Sequence, residues 1–317
     1  MLKKIPILLS FYALTNGSET LTFGQLTYTK INDLSFTDYN RRKTFRTLLR
    51  LYQTKPFSNQ QIVLEFNEIQ VKVKTNVYGA FYEKIPLDLK GSTLTKVIVS
   101  TGEEVKLIDG LYDKYIHHFG SDKIVVSDID DTLLHSFIKK KLRKFRALML
   151  TTMEKRKVVE NMQHLMNKFV MQGAIPVYLS NSEQNLYPLI YRFLFHNKFP
   201  RGPLFLKQMR TLWDVVRNIK YPLQDIHKTT TLQELIQFFP EKKFILMGDN
   251  TQRDIFIYLD VAEKFYERID CIIIRKVVNN KNETALIEQS IERLKGRDIK
   301  FYYAEDFPGE FPLPDNH

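Results

Sequence analysis

The stretch "KIVVSDIDDTLLHSF", residues 123–137, sets Asp128, Asp130 and Asp131 within four positions, directly behind a short apolar run. Carboxylates held so close raise one another's pKa unless a cation or hydrogen-bond donors neutralise them. The run "IVVSD" (124–128) is short, β-branched and continuous, which predicts a strand buried on both faces with the acidic cluster at its carboxyl end. Similar runs recur downstream at "IPVYLS" (175–180), "PLFL" (203–206), "FILMGD" (244–249) and "CIIIR" (271–275). Segments with helical spacing lie between them: "KVVENMQHLMNKFVMQG", "LYPLIYRFLF", "TLQELIQFF", "DIFIYLDVAEKF" and "ALIEQSIERL". The alternation predicts an α/β fold, a doubly wound and mostly parallel sheet built from right-handed crossovers. In such sheets ligands bind at the carboxyl ends of the strands, so the place of a site is expected before any motif is considered.

Upstream of about residue 113 the rhythm differs. "TLTFGQLTYTK", "QIVLEFNEIQVKVKTNVYGAFYEKIPLDL" and "TKVIVSTG" read as consecutive strands, and "NRRKTFRTLLRLYQTK" as one interrupting helix. A small β-sandwich is expected there, giving domains at 1–115 and 116–317. The opening "MLKKIPILLSFYALTNG" has two lysines before an apolar run, as a secretory signal would. It has no small-residue cleavage site, and Pro6 with its β-favouring neighbours suits a first strand better. No run approaches the ~18 apolar residues of a membrane span, so a soluble, cytoplasmic protein is expected.

The 317 residues carry a net charge of +11, which favours anionic partners such as phospholipid surfaces, phosphorylated substrates or nucleic acid. Composition does not choose among them. The single cysteine, Cys271, forbids an internal disulfide, excludes cysteine-rich zinc sites and falls mid-strand as a small core residue.

At the carboxyl ends of the expected strands stand Asp128, Asp130 and Thr132, then Ser180 and Asn181, then Asp249, with Asp254 on the following helix. Lys228 is expected at the start of a helix before the fourth strand, with Thr229 able to cap it. Singly, each has an ordinary structural reading: a capped turn for 128–132, a solvated helix end for Lys228, a plain turn for Ser180-Asn181. Jointly they bring carboxylates, hydroxyls, an amide and an ammonium to one crevice. His227, beside Lys228, reads as structural.

The D-x-D-x-T at Asp128–Thr132, the strand-end Ser180, Lys228 and the G-D-x4-D at Gly248–Asp254 resemble the four motifs of the haloacid dehalogenase phosphatase superfamily, in that family's order. "SDIDDT", "YLSNSEQNLYPLI", "FPRGPLFLK", "HKTTTLQELIQFFP" and "FILMGDNTQRDIFIY" resemble more narrowly the catalytic domain of the actin-patch-protein type of magnesium-dependent phosphatidate phosphatases. "VKTNVYGAFY" is similar to a strand–turn–strand segment of that family's amino-terminal sandwich. The chain departs from the family at Ser182-Glu183-Gln184, where proline and tryptophan would follow the serine, and in "GDNTQRD".

The resemblance implies a HAD-like sheet with little or no cap domain. It also implies phosphomonoester hydrolysis through an aspartyl-phosphate, with phosphatidate giving diacylglycerol and phosphate. Asp128 would be the nucleophile. The Asp130 side chain would protonate the leaving oxygen and later deprotonate water. Mg²⁺ would be held by Asp128, the Asp130 carbonyl and Asp249. Thr132, Ser180 and Asn181 would bind the phosphoryl oxygens, Lys228 would offset the negative charge, and Asp254 would orient a ligand or a metal-bound water.

Only ~40 residues separate Thr132 from the second strand, where a βαβ unit needs about 30. An open crevice is therefore expected, suited to a bulky ester. The insert that exists carries Lys139, Lys140, Lys141, Arg143, Lys144 and Arg146 among apolar residues at near-helical spacing. It reads either as a peripheral contact with an anionic membrane or as a solvated helix packed on the protein. Two other functions stay open: a phosphatase for another bulky phosphomonoester, such as a nucleic-acid end or a phosphoprotein, and a non-catalytic lipid-binding adaptor. Nucleic acid is the less favoured partner, and the sequence says nothing of oligomeric state.

Overall fold

The computed structural model describes residues 5–29, 51, 53–133, 158–207, 224–251, 253–278, 287–288 and 291–307. The basic segment at 139–146, most of the interrupting helix expected before Thr54 and most of the last expected helix lie outside these residues.

Strands β1 (Ile5–Thr15) and β2 (Thr20–Thr29) form a long antiparallel hairpin. The apolar amino terminus is thus a strand from Ile5 onward. β3 (Lys55–Pro56) and β6 (Ala80–Ile85) both pair with β2, and β8 (His117–His118) adds to β1 in parallel. A second sheet holds β5 (Ile69–Lys74), β4 (Gln61–Phe66) and β7 (Leu94–Val99) in that order. Gly79, in the turn before β6, has φ 74°, and a Cβ there would lie 2.3 Å from the Leu26 carbonyl oxygen, so the turn requires glycine.

The six-stranded sheet runs β11 (Leu204–Lys207), β10 (Ile175–Glu183), β9 (Lys123–Ser127), β12 (Lys243–Asp249), β13 (Ile269–Arg275) and β14 (Lys300–Ala304). Every neighbouring pair is parallel. All five strands expected from the apolar runs are present. The sixth, β14, was not expected: it is an edge strand of half-buried residues, "KFYYA", without a continuous apolar run.

Among the described residues, four helices of ten or more residues accompany the sheet: α1 (Glu160–Met171), α2 (Tyr187–His196), α3 (Gln224–Phe238) and α4 (Asp254–Lys264). In α1, Met162, Leu165, Met166 and Phe169 are buried, the i, i+3, i+4, i+7 spacing of one helix face. They share a core with Val125, Ile245, Met247 and Ile273 from one side of the sheet. From the other side, Ile124, Val126, Leu246 and Ile272 pack with Leu232, Leu235 and Ile236 of α3 and Ile255 and Val261 of α4. Helices therefore cover both faces, which is why these strands are apolar throughout.

The amino-terminal sheets are not separate from this core. One side of β1 (Ile7, Leu9, Phe11) joins the cluster that holds Ile62, Leu64 and Phe66 of β4. The other side, with Tyr12 and Leu14, joins that of α3 and α4, where Phe23 of β2 stacks on Phe205 of β11 with ring centroids 4.4 Å apart. Among the described residues no helix is long and apolar enough to cross a membrane.

Candidate active site

β9 is central, flanked by β10 and β12, with Val126 in register with Val177 on one side and Leu246 on the other. Pairing continues one residue past the strand, where the Asp128 N–H donates to the Met247 carbonyl at 2.9 Å. The chain then turns: Leu133 N–H donates to the Ile129 carbonyl at 3.0 Å, and Asp131 adopts φ 60°. That left-handed conformation is one aspartate accepts more readily than most residues.

The side chains of two strand ends and two helices meet here. Lys228 Nζ donates to Asp128 Oδ1 at 2.7 Å and to Asp254 Oδ1 at 2.5 Å. The Thr132 hydroxyl lies 3.1 Å from Asp249 Oδ2 and 3.4 Å from Asp128 Oδ2. Asp128, Asp249 and Asp254 each offer a carboxylate oxygen within 4.8 Å of the others. The carboxylates of positions 128 and 249, 121 residues apart in sequence, thus share one site.

Their surroundings are hostile to charge. Asp128, Thr132, Ser180, Lys228, Asp249 and Asp254 have no exposed surface. Burial pushes the Asp128 carboxyl well above the usual carboxylate range; Lys228 opposes the shift, while Asp254, Asp249 and Asp130 add to it. Burial and Asp254 push Asp249 up to about 6 despite hydrogen bonds from Thr251. Burial works against the Lys228 ammonium, but Asp128 and Asp254 outweigh it and hold the side chain charged. One ammonium faces three carboxylates, and Asp254 Oδ2 is buried without a hydrogen-bond donor. A hard divalent cation with oxygen ligands fits this donor set.

The other expected site residues fall at the same end of the sheet. β10 runs through Ser180 and Asn181 to Glu183. Ser180 Oγ accepts the Ser182 N–H at 3.0 Å, and Ser182 Oγ donates to Asp130 Oδ2 at 3.1 Å. The Asp130 side chain therefore points to Ser182, outside the carboxylate group of Asp128, Asp249 and Asp254.

One expectation is corrected. α3 begins at Gln224, so Lys228 lies inside the helix rather than at its start, and Thr229 is no cap. Asp254 directly bonds Lys228 and has a carboxylate oxygen within 4.8 Å of those of Asp128 and Asp249. Beside this buried group, Asp130 and Ser182 keep part of their surface exposed. His227 is half-buried, and burial pushes its imidazole down to about 4, so it is neutral near pH 7; its Nδ1 lies 3.5 Å from the Thr231 hydroxyl.

Sequence reasoning passed over Asn250, Thr251 and Arg275. Thr251 N–H donates to Asp249 Oδ1 at 2.5 Å, and the Thr251 hydroxyl also contacts that oxygen. Asn250 staples the neighbouring loop, accepting Val277 N–H at 2.7 Å and donating to the Val278 carbonyl at 2.7 Å. A usable signal existed: "NT" and the terminal arginine of "CIIIR" are polar residues at strand ends, where the site had to be.

Gly248 shows how tightly the acidic loop is packed. A Cβ there would lie 2.8 Å from Tyr258 Cε2 and 3.0 Å from Asp254 Cβ. Tyr258 is fully buried and its hydroxyl donates to the Met247 carbonyl at 3.1 Å, so it has little room to yield. Gly248→Ala is expected to destabilise by about 1–3 kcal/mol and to displace Asp254. Urea denaturation together with Mg²⁺ titration checks both; unchanged stability and metal affinity would contradict the packing described.

Residues 123–276 match the family model described as "Phosphatidate phosphatase APP1, catalytic domain". The chain is 28% identical over 240 residues to "Uncharacterized protein C29B5.04c" of Schizosaccharomyces pombe, covering 74% of this chain and 38% of that protein. It is 26% identical over 187 residues to "Phosphatidate phosphatase APP1" of Saccharomyces cerevisiae, covering 53% and 28%. The chain thus spans about a third of the length of these relatives. Among solved structures, "Structure of Pnkp1/Rnl/Hen1 complex" aligns at 16% identity over 50% of this chain and 49% of that one, with a TM-score of 0.34. The resemblance read from the motifs is borne out over residues 123–276, which match the catalytic-domain family of phosphatidate phosphatase APP1.

Proposed function

We propose that this chain is a divalent-metal-dependent phosphatidate phosphatase that hydrolyses its phosphomonoester through an ester formed on Asp128. One observation carries the reading. Asp128, in a segment matching this catalytic family, is wholly buried, bonded to Lys228 at 2.7 Å and grouped with Asp249 and Asp254.

In this reading Asp128 Oδ attacks phosphorus, with Lys228 holding the carboxylate in place and offsetting charge on the phosphoryl oxygens. Asp130 gives its proton to the departing glycerol oxygen and afterwards takes one from the attacking water, with Ser182 fixing its orientation. Thr132, Ser180 and Asn181 bind the phosphoryl oxygens. Asp128, Asp249 and the Asp130 carbonyl would hold Mg²⁺, with Asp254 beside them. When bound, the cation neutralises charge building on the phosphoryl oxygens. The choice of phosphatidate rests on the family and on the basic composition.

The same proposal includes a HAD-like sheet with little or no cap, an amino-terminal sandwich over residues 1–115 and a catalytic domain over 116–317. It places Lys139–Arg146 at an anionic membrane surface, making the protein peripheral and cytoplasmic. Each cation near an anionic leaflet adds about 1 kcal/mol. Replacing the six basic residues with glutamine should cut co-flotation with phosphatidylserine vesicles more than tenfold; equal flotation by both proteins would remove the membrane role. The test of the activity itself is phosphate release from short-chain phosphatidate, with and without Mg²⁺, by wild type and Asp128→Asn. Release from nucleotides or phosphopeptides, but not from phosphatidate, would move the substrate to another phosphomonoester.

A further inference from the structure

The turn that carries Asp130 is held from outside the recognised motifs. Arg275, the last residue of β13, is the register partner of Asp249. Its guanidinium reaches across the strand end and donates to the Asp131 carbonyl at 2.8 Å. The Asp131 carboxylate lies 3.3 Å from the Thr251 hydroxyl, which also contacts Asp249. Arg275 is itself anchored, because its own carbonyl accepts the Asn250 N–H at 3.2 Å. Asp131 stands at φ 60°, a conformation that the turn must be held to keep.

We propose that Arg275 is a positioning residue for the acid–base group: by gripping the Asp131 carbonyl it fixes the turn and so aims the neighbouring Asp130 carboxyl at the leaving oxygen. This rests on the phosphatase reading given above. The physical reason is that Asp130 is half-buried and its described side-chain anchor is the Ser182 hydroxyl, so its aim depends on the backbone that carries it. A misplacement of about 1 Å at a reacting group costs on the order of 10²-fold in rate. Arg275 is described bonding to the Asp131 carbonyl and not to the carboxylates of Asp128, Asp249 or Asp254, so its removal should act through this turn and chiefly on the proton transfer from Asp130 to the leaving group.

That separation makes the role testable. An alkoxide leaving group needs the proton, whereas a nitrophenolate leaves without much help. Arg275 also borders a cavity of about 620 Å³ that includes Glu160, Glu305 and Asp306. Free guanidinium can therefore be drawn towards the gap that Arg275→Ala would leave.

The experiment compares wild type, Arg275→Ala and Arg275→Lys on short-chain phosphatidate and on p-nitrophenyl phosphate, with and without low guanidinium chloride. Mg²⁺ affinity is measured by calorimetry without substrate. Arg275→Ala should lose about 30-fold in kcat on phosphatidate with KM within twofold, since a general acid contributes about 10²–10⁴-fold. The loss on the aryl ester should stay below about threefold, any loss of Mg²⁺ affinity through the Asp130 carbonyl on the same turn should be smaller than the loss in kcat, and guanidinium should restore at least about fivefold. The lysine variant should fall between, and it carries the comparison if the alanine protein does not fold. Equal losses on both esters, no loss, or no guanidinium response would overturn the role of Arg275 while leaving the phosphatase reading intact. A wild type that hydrolyses neither ester would overturn that reading and this inference together.

Discussion

Asp128→Asn is expected to lose at least about 10³-fold in phosphate release while remaining folded. Asparagine has the shape of aspartate, but its amide is a poor nucleophile and cannot form the acyl-phosphate. The structure supplies the reason that folding survives. Lys228 keeps its second partner, Asp254, at 2.5 Å, so the buried ammonium is not left alone. The substitution also removes one of the carboxylates crowded within 4.8 Å, which relieves repulsion when no metal is bound. Without Mg²⁺, the variant's thermal midpoint should therefore equal or exceed that of wild type. Mg²⁺ should stabilise wild type more than the variant, because a ligand has been lost. Activity within tenfold of wild type would remove Asp128 from the chemistry, and an adaptor would be indifferent to the change.

Lys228→Met should have the largest effect on stability. The methionine fills much of the volume but leaves Asp128 and Asp254 buried without their shared ammonium, at 2.7 and 2.5 Å in the wild type. Removing one partner of a buried ion pair typically costs about 3–5 kcal/mol. At 2–4 °C per kcal/mol for a large domain, the thermal midpoint should fall by roughly 10 °C. Part of the loss is avoidable, because the carboxyls can take up protons instead of remaining charged. The fall should therefore be steeper at pH 8 than at pH 5. Mg²⁺ should recover some of it by returning positive charge to the site, whereas phosphate release should stay down by about 10²–10³-fold for want of the fixed ammonium. A thermal midpoint unchanged at pH 8 would mean that Lys228 is not the counter-charge of this cluster.

These two variants separate what motif recognition and geometry each contribute. The D-x-D-x-T pattern pointed to Asp128 from sequence, and strand-end placement pointed to Asp249. Neither implied that both, with Lys228, would be sealed from solvent. The sealing sets the expected cost of Lys228→Met, since an exposed ion pair contributes only about 0–1 kcal/mol.

Much of the fold was legible because its physics is local. Strands covered on both faces must be apolar throughout, so β9 to β13 announced themselves as runs such as "IVVS" and "CIII". α1 was legible in its 3.6-residue spacing. β14 was not, because an edge strand of half-buried residues has no such requirement. Lys228 was placed at a helix start because α3 has no continuous apolar face around it; the helix begins at Gln224, a turn earlier.

By itself, then, the sequence determined the parallel α/β sheet and the end of it near which Asp128, Asp249 and Lys228 meet. Strand burial and strand-end position leave a mark within a few residues. Only the tertiary structure decided that Asp254 shares Lys228 with Asp128, that Asp128, Lys228 and Asp249 are fully buried, and that Arg275 grips the Asp131 carbonyl from 144 positions away. Such contacts depend on which strands neighbour one another and in what register, together with the rotamers that follow. No local pattern of residues encodes that.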